Sequence, residues 1–371
     1  MADEQLETPG SGDYTGLPRR FVQVVIQERV FLALLAAAFL VAGVVYPYPQ
    51  IAMWAGFVFA GYAVIANDSI QTIGTFIASN KHRPWWVLWL FIGGVMLVTM
   101  AFGWLTHEGD VTYGRLASKN FSEAPTEFAF LQVAGPLLLL VLTRMRIPVS
   151  TTFLILSSFA ASPKGIASVL SKSVTGYVIA FAVAIGLWLS IGKLTEKKFV
   201  GEAAKGWYVA QWFATTFLWS MWLVQDAANV AVFLPRSLEF YEFAVFAGVL
   251  FLGLAVLFRL GGDKIQEIVE EKAAVTDVRH ATIIDFVYAL ILWVFKIQSD
   301  IPMSTTWVFL GLLAGRELAI NLTRDPDKRR SVKDVLKLIG KDLLFVTIGL
   351  IISIIIAVTV NPNITPESLS W

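Results

Sequence analysis

The spacing of its apolar runs is what most constrains this chain. Eleven runs, over residues 30–46, 51–78, 85–105, 128–143, 148–161, 165–191, 207–233, 240–260, 281–295, 302–320 and 336–360, are separated by short connections that hold most of the charge. About 20 apolar residues cross the hydrocarbon core as a helix, so this pattern predicts an all-α polytopic membrane protein with about eleven membrane segments. Hydrophobic residues make up 56% of the 371 positions and charged residues 15%, too little polar surface for a soluble domain. A net charge of +1 gives no electrostatic footprint for nucleic acid. The absence of cysteine excludes disulfides and thiolate metal sites. No secretory signal is evident, and residues 1–28 read as a cytosolic tail.

Orientation comes from the basic residues. With Arg19, Arg20 and Arg29 inside, alternate connections carry Lys81 and Arg83; Arg144 and Arg146; Lys193, Lys197, Lys198 and Lys205; Lys264, Lys272 and Arg279; and Arg324, Lys328, Arg329, Arg330 and Lys333. The opposite connections hold Arg115, Lys119, Lys164, Arg236 and Lys296. This distribution predicts a multi-pass protein of a cell (inner or plasma) membrane with a cytosolic N-terminus. The stretch 263–280 reads as a solvated connector with an amphipathic helical pattern.

Two patterns recur. Asn67-Asp68-Ser69-Ile70-Gln71 lies inside the second run and Gln225-Asp226-Ala227-Ala228-Asn229 inside the seventh. Pro148-Val149-Ser150-Thr151-Thr152 and Pro302-Met303-Ser304-Thr305-Thr306 each open a fresh run. Asp68 precedes Ser150 by 82 residues, and Asp226 precedes Ser304 by 78. Two five-segment units come after an extra helix at 29–50: a first repeat at 51–193, a linker at 194–206, a second repeat at 207–360 and a tail at 361–371. An odd number of spans per unit inverts the second copy, as in transporters whose inverted repeats share a midplane site.

The motifs suggest chemistry. An aspartate inside a span costs several kcal/mol unless partnered, and a helix break supplies partners as free carbonyls. Asn67, Asp68, Gln225 and Asp226 therefore read as cation ligands at breaks, with sodium at Asp68 and Asp226, since an all-oxygen shell suits a hard ion. Proline followed by Ser and Thr favours a helix start, and a helix N-terminus beside hydroxyls is an anion site. Half-helices at 153–159 and 307–313 are expected, with Ser150, Thr151, Thr152, Ser304, Thr305 and Thr306, joined by Gln71 and Asn229, as the substrate cradle. Two carboxylates beside a dianion repel strongly unless cations lie between them, so each ion favours binding of the other.

These residues resemble the inorganic phosphate transporter (PiT) family of cation-coupled symporters. That family carries paired Ala-Asn-Asp and Pro-x-Ser-Thr-Thr motifs on inverted repeats; Ala66-Asn67-Asp68 with Gly74-Thr75, and both proline motifs, match from about residue 51 to 360. The resemblance implies sodium or proton coupling, inorganic phosphate as usual substrate and a homodimer in the bilayer. The chain departs at Gln71 and Gln225, where Asn is usual, at Phe153 and Trp307, where His is frequent, and at 233–236, where Gly-Pro is missing. Sulfate permeases of the same family make sulfate the competing substrate.

Among the remaining charges, Lys172, His280, Asp285, Arg316 and Glu317 read mostly as interfacial or snorkelling, and Lys164 and Arg236 as outer groups that attract anions. His82, His107 and His280 fall near connections without metal-ligand spacing, and no Ser is paired with a base. The sequence therefore reads as a transporter without a cofactor and not as an enzyme; an anion channel is the alternative from another class.

Overall fold

The computed structural model describes residues 28–117, 121–145, 149–260, 277–323 and 331–361, apart from the side chains of 69–71 and 196. The described residues are helical, with no strand. In chain order they form α1 (Arg29–Val45), α2 (Pro49–Val64), a π-helical turn (Ile65–Ser69), α3 (Ile70–Ser79), α4 (Trp85–Thr106) and α5 (Phe130–Arg144). Next come α6 (Thr151–Leu154), a 3-10 turn (Leu156–Phe159), α7 (Pro163–Lys198) and α8 (Lys205–Ala231). The remaining helices of the described residues are α9 (Phe240–Arg259), α10 (Val278–Gln298), α11 (Thr305–Thr323) and α12 (Val332–Val360).

Among the described residues, six stretches are long and apolar enough to cross a membrane: Pro49–Asp68, Trp85–Thr106, Pro163–Thr195, Phe240–Arg259, Val278–Gln298 and Val332–Val360. The helices α1 and α5 are apolar but shorter. Large apolar side chains stand outward on several helices, with Leu40, Val98 and Phe213 each more than 70% exposed. A soluble monomer rarely carries so much contiguous exposed apolar surface; a lipid-facing helix needs it. The chain is a helical membrane protein.

Helix pairs organise the interior. The helix α8 packs along α10, and α2 packs on α5. The longest seam joins α7 to α11. There, Gly311 and Gly315 lie four residues apart on α11, and a Cβ on either would come within 2.3 Å of a carbonyl oxygen of α7, that of Tyr177 or Phe181. Small residues at this spacing let two backbones meet, the usual device of helix association in lipid.

The segment 148–161 differs from the expected span. Its described part is one helical turn (α6) and a 3-10 turn, nine residues in which no helix is long enough to cross. Irregular backbone is tolerated at membrane depth only inside protein. Residues 149–158 are accordingly all buried, against α12 among others. Amide side chains from elsewhere bond its free carbonyls: Asn67 to Val149 O (2.9 Å), Gln132 to Ser158 O (3.0 Å), and Asn361 to Ala160 O (2.6 Å). The sequence supplies the reason. Ser157, Ser158, Ser162 and Pro163 come soon after α6, whereas a long unbroken run begins at Thr306 and continues as the 19-residue α11.

Helix α7 runs through Lys198 and α8 begins at Lys205, so within the expected linker at 194–206 only 199–204 are non-helical. Most of the 263–280 connector and the tails 1–27 and 362–371 lie outside the described residues.

Candidate functional site

Both Asp motifs and both Ser-Thr-Thr motifs meet in one buried cluster. Asn67, Asp68, Ser150, Thr151, Thr152, Gln225, Asp226, Asn229, Ser304, Thr305 and Thr306 are all at most 4% exposed. Gln71 opens α3, and its side chain lies outside the described residues.

The two carboxylates are linked through the hydroxyl motif of the first half. Thr151 Oγ1 donates to Asp68 Oδ2. Asn229 Nδ2 donates to Asp226 Oδ1 at 2.6 Å and contacts Thr151 Oγ1 at 3.0 Å and Thr152 Oγ1 at 3.2 Å. Thr152 Oγ1 in turn donates to Met303 O at 3.3 Å, which ties the two proline motifs together. The residues next after those motifs, Phe153 and Trp307, meet edge to face at 6.3 Å.

The two serines act alike. Ser150 Oγ accepts from Phe153 N and Ser304 Oγ from Trp307 N, both at 3.4 Å, so each caps the helix that it precedes. The capped segments themselves differ. The expected half-helix at 153–159 is too short to carry a helix dipole, and the run at 307–313 is part of continuous α11.

The Asp motifs also differ locally. Asp68 lies in the π-turn between α2 and α3, an irregularity of the expected kind. Asp226 lies in regular α8, so the break expected there is absent; the helix ends after Ala231, ahead of Pro235. Asn67 is fully engaged: Nδ2 donates to Asp68 Oδ1 (2.5 Å) and Val149 O (2.9 Å), and Oδ1 accepts from Thr143 (3.2 Å). Gln225 is held only at its nitrogen, which donates to Leu292 O at 3.1 Å.

Three buried acceptors on α8 consequently have no hydrogen-bond donor: Gln225 Oε1, Asp226 Oδ2 and Asn229 Oδ1. The Thr305 hydroxyl faces the Asp226 carboxyl without reaching bonding geometry to Oδ2. Buried polar atoms are nearly always paired, so three unpaired acceptor oxygens within two turns mark this part of the cluster as short of donors. Among the described residues no group of three or more His, Cys, Asp or Glu is placed to hold a metal ion.

Arg115, which the sequence places in an outer loop, is fully buried against the second half. Nε donates to Val224 O at 2.9 Å and Nη1 to Ile301 O at 3.2 Å, the carbonyls just before Gln225 and Pro302. Nη2 has no partner. Burial pushes its guanidinium down to about 10, against the attraction of Asp300 and Asp226, which leaves it cationic at neutral pH. Lys172 donates to the Ser299 and Ile301 carbonyls and, with Lys164, lines an open cavity of about 700 Å³.

Other charged residues depart from expectation. Arg236 is occupied by four backbone carbonyls, of Phe121, Glu123, Val232 and Leu234, and so fastens two loops together. Arg316 is 7% exposed and stacks over Trp188 at 5.9 Å, and Asp285 is fully buried; neither snorkels. A signal for Asp285 was present, a carboxylate flanked by Ile284 and Phe286 within an apolar helix. For Arg115 no sequence signal existed, because its partners are over 100 residues away.

Fold and site together define a polytopic helical membrane protein with a buried polar centre rich in oxygen ligands. Comparison with protein families, curated proteins and solved structures finds no match for this chain.

Proposed function

We propose that this protein is a secondary active symporter that couples inward movement of sodium ions or protons to uptake of a tetrahedral oxyanion, inorganic phosphate in the first place. One observation carries the reading: two buried carboxylates from distant parts of the chain, joined through Thr151 and Asn229, beside three acceptor oxygens without donors. Bare carboxylates packed together in a low-dielectric interior repel, and cations remove that repulsion. The anion brings the same need, so cation and anion binding reinforce each other. Inward movement of net positive charge adds about 2.3 kcal/mol per charge per 100 mV of membrane potential.

The donors for the anion are the Thr151, Thr152 and Thr305 hydroxyls, the start of α11 and the free Nη2 of Arg115. Anion binding exchanges their present protein acceptors for substrate oxygens. The likeness of the paired Asp and Ser-Thr-Thr motifs to the phosphate transporter family ranks phosphate before sulfate.

Helix contacts support the inverted-repeat reading. The pair α2 with α5 has its counterpart in α8 with α10, and the pair α6 with α12 in α11 with α7. In this reading the sixth of the eleven segments is α7, residues 148–161 cross as a discontinuous element, and the N-terminus is cytosolic.

The test is uptake of labelled phosphate and sulfate into proteoliposomes, with sodium and proton gradients imposed separately. Saturable uptake that tracks a cation gradient is expected; an anion channel gives neither property. Asp68→Asn and Asp226→Asn should each lose coupled uptake while still inserting. Parent rates in both variants would remove the cation-ligand role.

A further inference from the structure

Between α3, α8 and α10, away from the central cluster, lies a carboxyl that cation and anion binding at the centre leave unused. Asp285 is fully buried. Thr75 Oγ1 of α3 donates to its Oδ1 and Thr215 Oγ1 of α8 to its Oδ2, each at 2.6 Å. These hydroxyls are its only described hydrogen-bond partners. The titratable groups on the surrounding elements are Asp68 on the π-turn, Tyr208 and Asp226 on α8, Arg316 on α11, and His280 and Tyr288 on α10 itself; none bonds to it.

A carboxylate without a counter-charge is expensive in such an interior, and a neutral acid is not. A bound metal cation is a poor alternative. One carboxyl and two hydroxyls offer fewer oxygens than the roughly six that a calcium-sized ion gathers. A proton needs only one oxygen.

Polar side chains extend from Asp285 in both directions. Toward the central cluster, Tyr288 lies one turn along α10 and Thr72 one turn along α3. The Tyr288 hydroxyl donates to Thr305 O at 2.9 Å, faces Thr72, and feels the charges of Asp68 and Asp226. Toward the end of α3, Gln211 lies one turn from Thr215 on α8 and bonds Ser79 and, at 2.9 Å, Asn80. On α8 itself, Leu218, Trp219 and Trp222 are buried between Thr215 and Asp226, so the polar side chains nearest the centre are those of α3 and α10.

We infer that Asp285 is a proton-binding site on the route between the central site and the α3 C-terminal end, and that it carries the coupling proton. Loading transfers a proton from a hydronium ion that enters the central site with the anion: an O–H bond of that ion breaks, leaving water, and an O–H bond forms on one carboxyl oxygen of Asp285. The Tyr288 and Thr72 hydroxyls, which donate to the Thr305 and Asp68 carbonyls, are the polar groups between the two places. Unloading breaks that O–H bond and places the proton on a water at the Asn80–Gln211 end. The Thr75 and Thr215 hydroxyls then hold the carboxylate. This inference rests on the symport reading and makes the proton a coupling ion.

The experiment uses the full chain in proteoliposomes with a pH-sensitive dye in the lumen and labelled phosphate and sulfate outside. The parent protein should acidify the lumen as the transported anion enters, and an inward proton gradient should accelerate uptake. Asp285→Asn should lower both effects at least about tenfold, yet retain exchange of labelled for unlabelled anion at equal pH. Infrared spectroscopy should find a protonated-carboxyl band in the parent that is missing from Asp285→Asn and shifted by Thr75→Val or Thr215→Val. Lumen acidification by Asp285→Asn at the parent rate overturns the inference. An infrared band unmoved by all three variants does so too, and the two threonine variants serve where the aspartate variant fails to fold. Sodium-driven uptake without acidification leaves the central-site reading standing and removes the role of Asp285. No uptake of either anion under any gradient overturns both.

Discussion

The same five-residue pattern produces two different structures in this protein. Asn67-Asp68 sits in a π-turn, and its amide is engaged at both ends; Gln225-Asp226 sits in regular α-helix, and its amide oxygen is free. The hydroxyl motifs diverge likewise, into one helical turn after Ser150 and a 19-residue helix after Ser304. Duplicated residues thus deliver the same groups to the centre while their surroundings assign them separate work. In the first copy the amide holds irregular backbone in place. In the second the regular helix does that, and the amide oxygen is left unpaired.

The two amides offer the strongest challenge to that contrast. Asn67→Leu unpairs the Val149 carbonyl and the Thr143 hydroxyl and removes a donor from Asp68. At about 1–3 kcal/mol per buried group left unsatisfied, it should cost roughly 3–5 kcal/mol and lower the melting temperature in detergent by many degrees. An unchanged melting temperature would place Asn67 among the ligands after all.

Two glycines give the next contrast. Gly311→Ala pushes a Cβ against the Tyr177 carbonyl, and overpacking of this kind costs about 1–3 kcal/mol. Gly135→Ala in α5 meets nothing within 4 Å and should be neutral or slightly stabilising in the same melts. Equal effects would mean that the α7–α11 seam can spread.

Gln225→Leu removes an oxygen that bonds nothing in the protein and a single donor, to the Leu292 carbonyl. It should lower the melting temperature less than Asn67→Leu does, while the cation concentration for half-maximal uptake rises about tenfold, equivalent to about 1.4 kcal/mol. A stability loss as large as that of Asn67→Leu would erase the distinction between the two copies.

The caps provide the smallest effect. Ser150→Ala and Ser304→Ala should each cost about 0.5–1 kcal/mol, toward the weak end for caps because both bonds are 3.4 Å long. Combined, they should weaken anion half-saturation more than cation half-saturation. An anion value that does not move counts against the hydroxyl cradle.

Much of the site was legible in the sequence because its residues come in duplicated, locally patterned groups. Asp68, Asp226 and the two Ser-Thr-Thr runs stand out as polar residues within apolar segments. Their meeting was an inference from symmetry, which contacts such as Asn229 with Thr151 substantiate at the level of geometry. The break assigned to Asp226 and the second half-helix were not legible. Symmetry of sequence suggested symmetry of backbone, but a helix breaks where its own ladder is interrupted, and nothing between Lys205 and Ala231 interrupts α8.

Hydropathy and motif spacing alone determined that the chain is helical, lies in a membrane, and sets two Asp and two hydroxyl motifs inside its apolar segments. Only the tertiary structure decided which polar atoms are engaged and which are free. It buried Arg115 beside the second pair of motifs, isolated Asp285 between two threonines, and left three oxygens on α8 without donors. The reason is the reach of the interactions. Apolar periodicity is a property of neighbouring residues, whereas pairing of a buried polar atom depends on groups 70 to 210 positions away, brought close only when helices pack.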